Sequence, residues 1–265
     1  MIDLPNETKE LLKLMDSLKK EYAELFEQRN YMLQYEEPLL TSLYLTLLGQ
    51  FQFRLFTLKG DLAQLNQRIQ MAQAYFNRNE LPDWHKIDTK ITQIFSDYYK
   101  KIENDAQQLA AAKEFLKSDF ISDEEAKKLK AIYKLLVKKL HPDINPTQTP
   151  KEAELFLKVQ AAYDLGDLRA LNEILLYLTN EEAKVPDFVP DIKDKVEKIK
   201  AVIDDLNQKI EKLNSTFPFI YREKIKDEKW VEDEQLQIDV QVNVIEKELK
   251  AKSEYLKLMQ TWKPE

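Results

Sequence analysis

The chain has 265 residues, of which 33% are charged and 43% apolar, with a net charge of −7, three glycines and no cysteine. An acidic balance argues against general nucleic-acid binding, which needs a basic surface or a strongly basic domain. The missing cysteine excludes disulfides, cysteine zinc sites and cysteine nucleophiles, and it fits a reducing, cytoplasmic setting.

Few glycines and abundant Leu, Lys, Glu and Gln predict an all-α protein. The opening residues, MIDLPNETKELL, begin a helical pattern and not a charged-then-apolar leader. Leu11, Met15, Leu18, Tyr22, Leu25, Arg29 and Met32 then alternate in steps of four and three, a heptad seam with one polar intrusion. Glu37-Pro38 predicts the first turn of a second helix that runs toward Asn79, with Leu58, Leu62, Leu65, Ile69, Ala72 and Phe76 as its later seam. Its most apolar stretch, residues 39–58, is interrupted by Gln50, Gln52 and Arg54, so it reads as a buried helix and not as a membrane span. Asp83 is expected to cap a third helix carrying Ile87, Ile91, Ile94, Tyr98, Ile102, Leu109 and Leu116. Short loops make consecutive helices antiparallel neighbours, so residues 1–119 are expected to form an N-terminal antiparallel coiled-coil arm.

Residues 120–182 read as a separate, central helical domain. Ser122-Asp123-Glu124-Glu125 is a capping box. The helix behind it sets Leu129, Ile132, Tyr133, Leu136 and Leu140 on one face and Lys127, Lys130, Lys134 and Lys138 opposite, with Lys128 and Lys139 on the flank. Between Ala126 and His141 stand six lysines and no acidic residue. Pro142 stops this helix. Thr149-Pro150-Lys151-Glu152 is a second capping box, followed by Leu155, Phe156, Val159, Ala162 and Tyr163 at helical spacing. Gly166 is placed to end that helix in a left-handed cap, and Asp167 to start another holding Leu168, Leu171, Ile174, Leu175 and Leu178.

A linker at Glu181–Pro186, with Pro190 beyond, leads to residues 186–265. Ile192, Val196, Ile199, Ile203, Leu206, Ile210 and Leu213 keep the heptad, the stretch Asn214–Phe219 reads as a loop, and Val231, Gln235, Ile238, Val242, Ile245, Leu249, Lys252, Leu256 and Met259 return, with Gln235 and Lys252 as polar seam positions. This predicts a C-terminal antiparallel coiled-coil hairpin with Phe217 and Phe219 packed at its tip. Pairing between chains satisfies the same seams, so a homodimer is an alternative to pairing within one chain.

The central segment resembles the J domain of DnaJ-like co-chaperones. Tyr133-Lys134, Leu136, Lys139 and His141-Pro142-Asp143 match that family's second helix and signature loop, and Phe156, Val159, Ala162 and Tyr163 match its third helix. The flanking arms make the whole similar to long bacterial J-domain proteins. The match departs from the family where its first helix, of Tyr-x-x-Leu-Gly character, is missing just before the basic helix; Phe115 or Phe120 is expected to substitute. No Gly/Phe-rich linker or cysteine zinc module follows.

The resemblance implies docking on a heat-shock-seventy-type, ATP-driven chaperone. Lys130, Lys134, Lys138 and Lys139 would steer and hold, while His141, Pro142 and Asp143 would trigger hydrolysis in the partner. Nothing catalytic and no cofactor is expected in this chain, so it is not read as an enzyme, and the arms are expected to hold an unidentified protein client or scaffold. Two histidines in separate segments argue against a metal site. His85, beside Trp84, reads as a surface or packing residue. The plainer reading of the tripeptide is a helix terminus with a proline stop, and of the lysines a solvated face. On that reading the chain is a structural coiled-coil adaptor. Exposure separates the two, since docking needs His141, Asp143 and the lysine face open to solvent.

Overall fold

The computed structural model describes residues 6–118, 122–180 and 192–262. The described residues form helices and turns, with no strand, so the all-α expectation holds. In chain order the α-helices are α1 (Asn6–Tyr31), α2 (Glu37–Tyr44), α3 (Gln50–Phe76), α4 (Trp84–Ile94), α5 (Ser96–Phe115), α6 (Asp123–Leu140), α7 (Pro150–Asp164), α8 (Leu168–Asn180), α9 (Ile192–Asn214) and α10 (Glu228–Thr261). Their contacts divide the chain into two units, each assembled from two separate stretches: Met1–Pro38 with Asp119–Phe219, and Leu39–Ser118 with Ile220–Glu265. This grouping differs from the three consecutive segments expected at 1–119, 120–182 and 186–265.

The difference begins at Glu37-Pro38, where a new helix was expected after a break. The backbone instead stays helical, passing through a wide π turn at Met32–Glu36 immediately before Pro38. Proline lacks an N–H and clashes with the carbonyl four residues back, here that of Gln34; a locally widened turn accommodates both defects.

In the first unit α1 packs along α9 and across α6, and α8 closes on α6 and α7. The α9 seam is buried as its heptad predicts, from Ile192 through Val196, Ile199, Ile203 and Leu206 to Ile210. Both capping boxes form: the Ser122 hydroxyl accepts from the Glu125 backbone N–H and Thr149 does the same for Glu152. Each glutamate side chain reaches back to its cap, so two orphan donors are satisfied at each helix start. Gly166 takes a left-handed φ of 67° at the end of α7, and the Asp167 N–H reaches the Ala162 carbonyl at 2.8 Å.

In the second unit α4 and α5 fold back antiparallel along α3. Arg68 pairs with Asp88, Tyr99 with Gln64, and Tyr98 with the carbonyls of Phe56 and Thr57. The single helix expected from Asp83 to Leu116 is broken at Phe95, which leaves helical geometry with ψ near 12°. Gly60 is required where Tyr98 crosses α3, because a Cβ there would lie 1.9 Å from the ring. The helix α10 runs parallel to α3: Gln235 meets Leu47, Arg54 meets Glu246, and Lys252 meets Asn66. Leu55 packs with Ile238, Val242 and Ile245 in one cluster, and Ala72 with Ile87, Ile91 and Met259 in another. The expected C-terminal hairpin is therefore not the observed pairing, because α9 seats its seam on α1 and α10 seats its own on α3. Phe219 is buried and Phe217 is half-exposed. Phe120, the linker at 181–186 and Pro190 lie outside the described residues.

Candidate functional site

The helices α6 and α7 form an antiparallel pair: Tyr133 stacks on Tyr163 at 3.9 Å between ring centroids, and His141 meets Phe156 at 4.8 Å. The His141-Pro142-Asp143 loop is the tip of this hairpin. Three side chains hold the tip on the end of α6. Asn145 donates to the carbonyls of Lys138 and His141, Gln148 donates to that of Leu140, and Ile144 is buried beneath. The carbonyls of Lys138 and Leu140, among the last of α6, are thereby satisfied.

The third wall of the site comes from α1, which runs antiparallel to α6. Tyr22 reaches His141, Asn30 donates to the Tyr133 hydroxyl at 2.7 Å, and Asp16 pairs with Lys138 at 2.8 Å. Facing α7, Phe26 meets Phe156, the Tyr163 hydroxyl donates to Glu27, and Tyr35 donates to the Tyr163 carbonyl. Burial holds the Glu27 carboxyl above the usual carboxylate range, against the opposing pull of Tyr163, Lys130 and Lys134. Burial likewise pushes the Tyr133 and Tyr163 hydroxyls up, so both stay protonated.

His141 is only 6% exposed, enclosed edge-on by the rings of Tyr22, Phe26 and Phe156. Its Nδ1 accepts the Asp143 backbone N–H at 3.2 Å, which assigns the remaining proton to Nε2. The Tyr22 oxygen lies 3.2 Å from Nε2 and donates its own proton to Asp143 Oδ2 at 2.8 Å. Backbone, imidazole, phenol and carboxylate thus close a ring of hydrogen bonds around the tripeptide. Burial lowers the His141 pKa to about 4, the Asp143 carboxylate opposing the shift, so the imidazole is neutral near pH 7. On the outer side Pro142 is exposed and the Asp143 side chain is 49% exposed.

The expected lysine face divides in two. Lys130, Lys134 and Lys138 turn toward α1 and are half-covered. Lys130 lies 3.0 Å from the centroid of the Tyr31 ring, and Lys138 is held by Asp16. Lys139 is open to solvent, together with Lys127, Lys128 and the apolar Leu135. One further lysine, Lys19 of α1, donates to Asn145 at 2.6 Å, and burial lowers its pKa.

Two expectations change here. Docking was expected to need His141, Asp143 and the lysine face open to solvent, whereas His141 is buried and Lys130, Lys134 and Lys138 are half-covered, with Asp143 and Lys139 exposed. Phe115 was expected to substitute for a missing first helix, whereas it closes α5 in the other unit and α1 covers the hairpin. The functional residues that sequence reasoning missed are Tyr22, Phe26, Glu27 and Asn30. Tyr22 was legible as a position of the first heptad seam, but it stands 119 residues before His141. Among the described residues no cluster of His, Cys, Asp or Glu could hold a metal ion, and no helix is long and apolar enough to cross a membrane. Compared with known proteins, the chain matches no family model, no curated protein and no solved structure.

Proposed function

We propose that this chain is a co-chaperone that docks on a heat-shock-seventy-type, ATP-driven chaperone and accelerates its ATP hydrolysis. The observation that carries the reading is the tip of the α6–α7 hairpin. Pro142 and the Asp143 carboxylate face solvent there, on a loop fixed from behind by His141 and Tyr22. A fixed, half-exposed carboxylate suits bidentate capture by a partner arginine. His141 then acts as the residue that positions the loop, and Pro142 and Asp143 make the outward contact. Lys139, Lys127 and Lys128 supply exposed positive charge beside the tip, which speeds encounter with an acidic partner and adds modest affinity. The hydrolytic chemistry belongs to the partner, and the second unit serves to select a client or location.

A second reading, a structural adaptor in which the hairpin only packs, is favoured by the burial of His141 and by the Asp16–Lys138 pair. Single-turnover ATP hydrolysis by the partner chaperone, with and without this protein, separates the two. Co-chaperone activity gives an acceleration that weakens between about 0.05 and 0.3 M salt and disappears in Asp143→Asn. Absence of acceleration at both salt concentrations would leave the adaptor.

A further inference from the structure

Beside the tip of the α6–α7 hairpin, three helices bring ammonium groups together. Lys138 comes from the last turn of α6, Lys19 from α1, and Lys195 from the start of α9, which packs along α1. Lys19 is fixed to the loop through Asn145 at 2.6 Å, and the charges of Lys138 and Lys195 both act on it. A single carboxylate acts against them there, that of Asp16. Asp16 lies 2.8 Å from Lys138, and its side chain is 70% exposed, so solvent screens its charge. Burial lowers the Lys19 pKa, Asp16 opposes the shift, and Lys138 and Lys195 add to it.

Lys195 is the member of this group that nothing holds. It flanks the buried α9 seam beside Val196, is half-covered, and makes no hydrogen bond or ion pair among the described residues. The nearest acids of α9, Asp194 and Glu197, are exposed on its outer face, and Glu197 is taken by Lys200. Three ammonium groups against one carboxylate leave a surplus of positive charge next to the loop, in a chain whose net charge is −7. Cations held together without matching counter-charge raise the local potential, and an incoming carboxylate relieves it. The group lies on the α1 side of α6, whereas Lys127, Lys128 and Lys139 stand on the solvent side. An acidic surface that straddles the tip therefore meets positive charge on both flanks.

We infer that Lys195, backed by Lys19 and Lys138, is a second docking seat for an acidic surface of the partner, supplied by a helix outside the α6–α7 hairpin. The inference rests on the co-chaperone reading. Single-turnover ATP hydrolysis by the partner chaperone, titrated with full-length variants, reads a half-maximal concentration and a maximal rate. Lys195→Glu is expected to raise the half-maximal concentration by at least about threefold at low salt, with the maximal rate unchanged and the salt dependence flattened. Lys195→Gln should fall between it and the wild type, and its unchanged melting separates lost docking from lost structure. Lys212→Glu makes the same change of charge about 25 Å further along α9 and should leave the half-maximal concentration unchanged. Equal half-maximal concentrations for wild type and Lys195→Glu, an equal rise in Lys212→Glu, or a loss confined to the maximal rate would each overturn the second seat and leave the co-chaperone reading standing. No acceleration by the wild type would overturn both.

Discussion

A phenol, an imidazole and a carboxylate fix the loop between α6 and α7, and each makes a measurable demand. Unfolded, the His141 imidazole binds a proton below its ordinary pKa of 6.5; folded, it does so only below about 4. Between those values the unfolded state holds the extra proton, so stability falls as the pH drops through this window and is fully present above it. The effect is at most about 3 kcal/mol. Urea unfolding of wild type and His141→Gln across this range should show a steeper acid loss in the wild type. Parallel profiles would mean that His141 is not buried as described. Tyr22→Phe keeps the ring packing but removes the donor to Asp143, and is expected to destabilise by about 1–2 kcal/mol. An unchanged urea midpoint would remove Tyr22 from the network. None of these contacts was legible in the sequence, because the heptad that located Tyr22 says nothing of which helix it meets.

At the scale of elements the sequence was read more fully, because caps and seams are local. Ser122, Thr149, Gly166 and Asp167 sit where their side chains or φ angles require, and the α9 seam is buried from Ile192 to Ile210. Breaks were harder to place. Pro38 did not end a helix because a π turn absorbed it, while Phe95 ended one without any breaker residue. Close helix approach was invisible as well, since Gly60 matters only through Tyr98. Gly60→Ala should displace the Tyr98 ring, lose its bonds to Phe56 and Thr57, and destabilise the unit by about 1–3 kcal/mol. In a Tyr98→Ala background the same substitution should carry almost no penalty. Equal penalties in both backgrounds, read from thermal melts, would show that the crossing is not as close as described.

At the scale of the whole molecule, the two units each draw on distant stretches of chain. Heptad spacing records that a helix needs a partner but not which one, and reading consecutive segments as neighbours produced hairpins where α1 belongs with α6 and α9. The central claim is that α1, from the far N-terminal side, completes the fold around His141-Pro142-Asp143. It follows that a fragment of residues 120–182 should not melt cooperatively, having lost the cover of Tyr133, Tyr163 and His141. The most direct measurement uses the absence of native cysteine. Cysteines introduced as Asp16→Cys and Lys138→Cys replace a pair in contact at 2.8 Å. A short bifunctional thiol reagent should join them within one chain, nearly completely and without change in melting. Failure to crosslink, or crosslinks formed only between chains, would contradict the assignment of α1 to this site.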